Sequence, residues 1–295
     1  MKSYLGAVAL AAVMLSAGAL VAQGQNNPPA TPPATTPTPG QDPAKKTPAP
    51  DAAAPLTLDS AGVTAPPVNA EEDAAVKAFR DIPNTDMVKK NKAGEDFVQK
   101  YPQSRYRPEI YAWLVKGYLG TDQPDKMEIV GDQELALVPT DAQVLAIEGS
   151  TLPRAMSAST PNPEKRLQKA EDYCKRALDV VTTMPKPTNL TDQEFATAKA
   201  QITAMAYSGL GVVAFRRGKF ADAIPNFDQA TKIDPNPDPV NFYLLGLSNE
   251  KASHFDDAVT AFTKCSTFPG GMQATCKTKI DEAKKLGATQ LSAPK

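Results

Sequence analysis

Residues 204–237 read AMAYSGLGVVAFRRGKFADAIPNFDQATKIDPNP, and residues 239–270 read PVNFYLLGLSNEKASHFDDAVTAFTKCSTFPG. One pattern is written twice. The first copy runs Tyr207, Leu210, Gly211, Phe220, Ala223, Phe227, Ala230, Pro235; the second runs Phe242, Leu245, Gly246, Phe255, Ala258, Phe262, Cys265. The pairs Leu210/Leu245, Gly211/Gly246, Phe220/Phe255, Ala223/Ala258, Phe227/Phe262 and Ala230/Cys265 share one offset of 35 residues. Self-similarity at about 34 residues marks stacked helix pairs. Tyr207, Leu210, Gly211 and Ala214 recur at three- and four-residue steps, so they share one helix face. Phe220, Ala223, Ile224, Phe227 and Ala230 do the same on a second helix, and Gly218 between them is a turn residue. Gly211 and Ala223 let the two backbones approach while Phe220 and Phe227 fill the remaining space. One such pair cannot enclose its own apolar faces, so neighbours must stack on it.

An aromatic, Leu-Gly three residues on, a small-aromatic-small run and a closing proline resemble the tetratricopeptide repeat (TPR) family. The resemblance implies an all-α fold: a TPR-like right-handed superhelix of four to five antiparallel helix pairs with a C-terminal capping helix. It also implies that the first helix of each pair lines a concave groove. Trp113, Lys116, Arg216, Tyr243, Leu247 and Lys251 are then the candidate groove residues; Trp, Tyr and Arg among them are the types that dominate interface energy. For Trp113 and Tyr243 the alternative is packing between neighbouring helices. The Lys and Asn set with which some family members clamp a C-terminal carboxylate is not reproduced.

Outside the two clear copies the repeats are degenerate over 70–185. Helices are expected from Glu71 to Asp81, with Ala74, Ala75, Ala78 and Phe79 inward, and from Asp86 to Tyr101, with Val88, Ala93, Phe97 and Val98 inward. The next presents Tyr111, Leu114, Val115 and Tyr118 and stops at Gly120. Its partner carries Met127, Val130, Leu135 and Val138, with Met127 and Gly131 where the family prefers alanine and an aromatic. The helix 163–183 steps from Ala170 to Ala177 as Ala223 steps to Ala230. Thr191 and Glu194 form a capping box opening a helix to Phe215, and Ser253 to Asp256 reads as another. The Tyr101-Pro102-Gln103-Ser104 junction between helices resembles repeats of bacterial envelope TPR proteins.

The chain ends bound the compartment. Met1-Lys2 and the small-apolar run Leu5 to Val21 read as a secretory signal peptide over 1–24. The alternative, an uncleaved anchor, meets a run of 17 residues at the lower edge of a bilayer span. No cysteine stands near the cleavage zone, so a lipoprotein is not expected, and the location is periplasmic or secreted. Residues 25–69 are Pro-, Ala- and Thr-rich and lack the apolar surface to offset ordering entropy, so a disordered tether is expected. The helical domain is 70–287, with a cap at 272–287 closed by Gly287 and a tail at 288–295.

Cys265 and Cys276 each lie about five residues from the middle of the Pro269-Gly270-Gly271 turn, so an antiparallel helix hairpin brings them face to face. In an oxidising compartment that predicts a disulfide worth about 2.7 kcal/mol; the alternative is two buried thiols. Cys174 reads as a small core residue. The single His254 has no nucleophile spaced to use it. No zinc spacing, phosphate loop or calcium cluster is present, so no catalytic residue, metal or cofactor is assigned. A formal charge of −1 gives no basic excess for nucleic acid, and membrane contact is expected only through an uncleaved leader. The function expected is a non-catalytic scaffold exported to the envelope that binds a peptide or protein segment. The alternatives are an assembly factor for outer-membrane proteins or polysaccharide, or an accessory subunit of an envelope enzyme.

Overall fold

Helix boundaries follow from capping chemistry. In the computed structural model, which describes residues 69–292, Asn69 Oδ1 accepts from the Glu71 and Glu72 amides (3.2 and 3.3 Å), opening α1 (Ala70–Asp81). Asp86 caps α2 (Met87–Lys100). Proline in the first turn, where a missing amide costs nothing, opens α3 (Arg107–Gly120) and α4 (Pro124–Leu137). Asp141 Oδ1 takes the Gln143 and Val144 amides, both at 2.9 Å, at the start of α5 (Ala142–Thr151). Then come α6 (Pro163–Thr183), α7 (Asp192–Arg216), α8 (Phe220–Ile233), α9 (Pro239–Lys251), α10 (Phe255–Ser266) and α11 (Gly271–Ser292). The Thr191/Glu194 capping box is formed at α7, with Thr191 N donating to Glu194 Oε2 (2.9 Å) and Glu194 N to Thr191 Oγ1 (3.2 Å). There are no strands among the described residues. The expected signal peptide, the expected Pro-rich linker up to residue 68 and the last three residues of the tail lie outside them, while Asn69, expected in the linker, caps α1.

The helices pack as five antiparallel pairs, α1–α2 through α9–α10, with α11 as cap, so the all-α TPR-like architecture read from the sequence is the one found. From α3 onward each odd-numbered helix touches the next odd-numbered one. No even-numbered helix brings its backbone against that of the next even-numbered one among the described residues; α2 and α4, and α4 and α6, meet only through long side chains such as Lys126 on Glu95 and Lys169 on Glu128. A stack whose first helices meet while its second helices splay is curved, and the first helices form the inner row.

The glycine–aromatic contact is the repeating joint. A Cβ on Gly211 would lie 2.7 Å from the Phe227 ring, and one on Gly246 would lie 2.5 Å from the Phe262 ring. Both phenylalanines are fully buried, so each pair closes through the same backbone-to-ring approach. In the α5–α6 pair Gly149 takes the glycine's place against Cys174, whose Sγ would be 2.5 Å from an added Cβ. Gly149 and Cys174 are 25 residues apart where Gly211 and Phe227 are 16. The extra residues form the 152–162 connection.

The Tyr101–Ser104 junction ties α3 back to α1. Ser104 Oγ donates to Glu72, Tyr106 OH donates to Asp73 Oδ1 (2.6 Å), and Arg105 pairs with Asp73 at 3.0 Å. Arg80 meets Glu109 with two parallel bonds of 2.8 and 2.5 Å.

Several local expectations need correction. On α2 the inward face is Lys90, Asn91, Gly94 and Phe97, and Val88 is 74% exposed. The helix turns this way because Lys90 donates to Ile82 O (3.0 Å) and Asn84 Oδ1 (2.7 Å). On α1, Val76 and Phe79 are buried while Ala74 and Ala78 are exposed. Gly120 is the last residue of α3, and the left-handed residue after it is Asp122 (φ 54°). Gly120 is small because Met87 Sδ would sit 2.4 Å from its Cβ. Ser253 takes φ 63° and His254 is the N-cap of α10, without a side-chain cap bond. Gly287 does not end α11, which runs to Ser292; a Cβ there would lie 3.2 Å from Phe255 Cβ, so the glycine serves packing.

Candidate docking surface

The inner row presents α3, α5, α7 and α9, and the six candidate groove residues lie on α3, α7 and α9 without forming one patch. On α3, Trp113 is half-buried. Its ring stands edge-on to Phe79 of α1 with centroids 6.4 Å apart, and Lys90 Nζ lies 4.5 Å from its centroid. Its indole Nε1 is buried without a hydrogen-bond partner, so the ring packs within the first two pairs. One turn on, burial holds the Lys116 ammonium below the usual lysine range, and Asp141 opposes that shift. A half-desolvated cation with no salt bridge of its own is poised to gain from an incoming carboxylate.

At the other end, the Tyr243 ring is 5.9 Å from that of Phe262. Tyr243 and Leu247 pack into the cluster that Phe262, Ala258 and Ala283 make beneath α11. They join the last pair to its cap. Lys251, the last residue of α9, is exposed.

Between these ends lies a polar cluster that sequence reasoning missed. Arg154, on the connection after α5, donates through Nη2 to Ser208 Oγ of α7 (2.6 Å) and Asn241 Oδ1 of α9 (3.1 Å). Ser208 Oγ also donates to Asn241 Oδ1. The guanidinium Nε of Arg154 and the Asp238 Oδ2 atom are both buried without a partner. Burial lowers the Arg154 pKa and the Asp238 charge counters it. Arg216 donates to the Arg154 and Met156 carbonyls (3.3 and 3.0 Å), so it fastens the connection. One residue beyond Pro153, Arg154 carried no periodic signal. Ser208 and Asn241 share their offset of 33 with no signature pair.

Cys265 on α10 and Cys276 on α11 are disulfide-bonded, Cα–Cα 5.9 Å. Cys174 is a free, buried thiol wedged between Gly149 and Gly209, its pKa pushed by burial to about 12. Among the described residues no group of three or more His, Cys, Asp or Glu side chains could hold a metal ion. No described helix is long and apolar enough to cross a membrane.

The tetratricopeptide repeat family matches residues 204–237, the first of the two copies. No curated protein matches the sequence. Among solved structures, the chain is similar to the crystal structure of PilW, described as a widely conserved type IV pilus biogenesis factor. That likeness has a TM-score of 0.51 at 16% identity and covers 75% of this chain and 91% of that one. A second is TTC0263, described as a thermophilic TPR protein in Thermus thermophilus, with a TM-score of 0.45 at 16% identity, covering 72% of this chain and 99% of that one. At these identities only the PilW likeness speaks, and it speaks of the fold. Residues 204–237 match the tetratricopeptide repeat, and the stacked helix pairs, two of them closed by the same glycine–aromatic contact, give the described residues a TPR-like fold.

Proposed function

We propose that the protein is a non-catalytic scaffold of the cell envelope that docks an extended protein segment along its inner row of helices. The observation that carries this reading is the continuous contact of α3, α5, α7, α9 and α11. On this reading Lys116 of α3 and Lys251 of α9 offer charges near the two ends of the row, and the largely buried Arg154–Ser208–Asn241 cluster ties α7 to α9 between them. Such a row offers a long, shallow site suited to a peptide. The leader-like residues 1–24 support export. The test compares the full chain with a K116E/K251E variant for partners captured from envelope extract. The scaffold reading expects a discrete partner retained by the parent and lost by at least tenfold in the variant. Equal capture by both would contradict it.

A narrower reading is assembly of an envelope structure. The Tyr101–Ser104 junction and the likeness to a pilus biogenesis factor support it. Under it, deleting the gene leaves an envelope assembly incomplete, and the captured partner is a component of that assembly.

A further inference from the structure

The seam between α4 and α5 departs from the repeat rule. At an offset of 96 residues, Tyr111, Leu114 and Pro139 fall on Tyr207, Leu210 and Pro235. The same offset puts Gly131 where Phe227 stands and Glu134 where Ala230 stands. The space the missing aromatic leaves is entered from the next pair. A Cβ on Gly131 would lie 1.6 Å from Glu148 Oε1. Glu148 precedes Gly149 as Leu210 precedes Gly211, so a carboxyl occupies a leucine's place. Glu148 and Glu134 are 0% and 1% exposed. Both Glu148 oxygens and Glu134 Oε2 are buried without a hydrogen-bond partner. Apart from α1 against α2, this is the thinnest junction between consecutive helices of the stack. Its link is the short segment 138–141, tied to α6 by Arg176 donating to Pro139 O (2.6 Å).

We infer that the α4/α5 seam is a proton-closed hinge, shut while Glu134 and Glu148 carry protons and opened when they ionise, so that α1–α4 swing relative to α5–α11. The surrounding charges fix the sense. Glu148 is faced by Glu128 and Asp132 from α4, by Glu134 and by Lys169 from α6, and Glu134 by Asp141 at the head of α5; Lys116 from α3 in turn faces Asp141, and Arg166 from α6 pairs with Glu128 at 2.7 Å. Tyr173 OH donates to Asp132 Oδ1 (3.0 Å) and is neutral in this range. With both acids protonated, three carboxylates face three cations. Ionisation leaves two negative charges in excess inside the seam. Lys169 cannot absorb them, because it is bonded to Glu128 (3.0 Å) and Asp132 (2.8 Å) and stands 3.9 Å from Glu148, beyond hydrogen-bond reach. Desolvation raises both acids to about 8, so the transition falls between about pH 6 and pH 9. Water must then enter to solvate the carboxylates. The inference rests on the seam; it shares Lys116 with the proposed inner-row site, and its test leaves Lys116 unchanged.

The test is a distance measurement between spin labels on the full chain, at Val88→Cys on α2 and Gln229→Cys on α8, with the buried Cys174 unlabelled. The distribution should lengthen or broaden from pH 6 to pH 9. In an E134Q/E148Q background it should keep its pH 6 form at both values, with helical content by circular dichroism confirming that this variant folds. Identical distributions at both pH values in the parent would overturn the hinge. So would an undiminished shift in the E134Q/E148Q background.

Discussion

At the scale of single residues, the joints are decided by which side of each contact is small. Gly211 has no room for a methyl group beside Phe227. Although alanine is the better helix former by about 1 kcal/mol, overpacking costs about 1–3 kcal/mol. Gly211→Ala should therefore lower stability by up to about 2 kcal/mol in urea melts. Gly271→Ala is the matched control: an added Cβ meets nothing within 4 Å, so it should be neutral or stabilising by up to about 1 kcal/mol. Gly211 and Phe227 were legible because their spacing recurs in the second copy. Gly149 and Cys174 make the same kind of contact but were not paired from sequence, because the longer connection at 152–162 breaks the register. Arg154 was invisible for a related reason: its partners are 54 and 87 residues away, and no local pattern announces a long-range hydrogen bond.

At the scale of elements, ends and faces behaved differently. Ends that rest on a side chain reaching an orphan amide, as at Thr191, were readable. Thr191→Ala should cost about 1 kcal/mol and speed amide hydrogen exchange in the first turn of α7 before the rest of that helix. Faces were less readable where polar groups turn inward. On α2 the buried Lys90 and Asn91 outrank Val88, since an ammonium satisfied by Ile82 and Asn84 is no worse inside than a valine left outside. The cap helix α11 is held to α10 by the Cys265–Cys276 bond and by Phe262, Ala258 and Ala283. Reducing that bond should cost about 2.7 kcal/mol. The loss should register first as faster exchange in α10 and α11, leaving α7 and α8 protected. Uniform exchange across the stack would mean that the cap is not a separate unit of stability.

At the scale of the whole molecule, a stack is a sum of pairs and seams, and its weakest seam sets its response to solution conditions. Glu134 and Glu148 hold protons in the folded state up to about pH 8, whereas in the unfolded chain they ionise near the ordinary glutamate value of 4.5. Between those limits the folded state binds more protons, so stability falls as pH rises from about 4.5 to about 8 and levels off above. Thermal midpoints should decline across that window at about 2–4 °C per kcal/mol lost. In E134Q/E148Q the decline should be mostly gone and the midpoint at pH 8 should be higher than in the parent. The stacked architecture itself was legible from one duplicated segment, since paired helices with uncovered apolar faces have few other ways to fold. Its acid-lined seam was not, because Gly131 and Glu134 read as decay of the repeat until Glu148 is seen entering the space they leave. The same stacking produces the inner row on which the functional reading depends. The most direct test of that reading is photo-cross-linking in intact cells, with probes at Lys116 and Lys251 on the inner row and at Lys165 and Gln229 on the outer helices. The account predicts a shared partner segment cross-linked from both inner positions and from neither outer one; cross-links from the outer helices alone would contradict it.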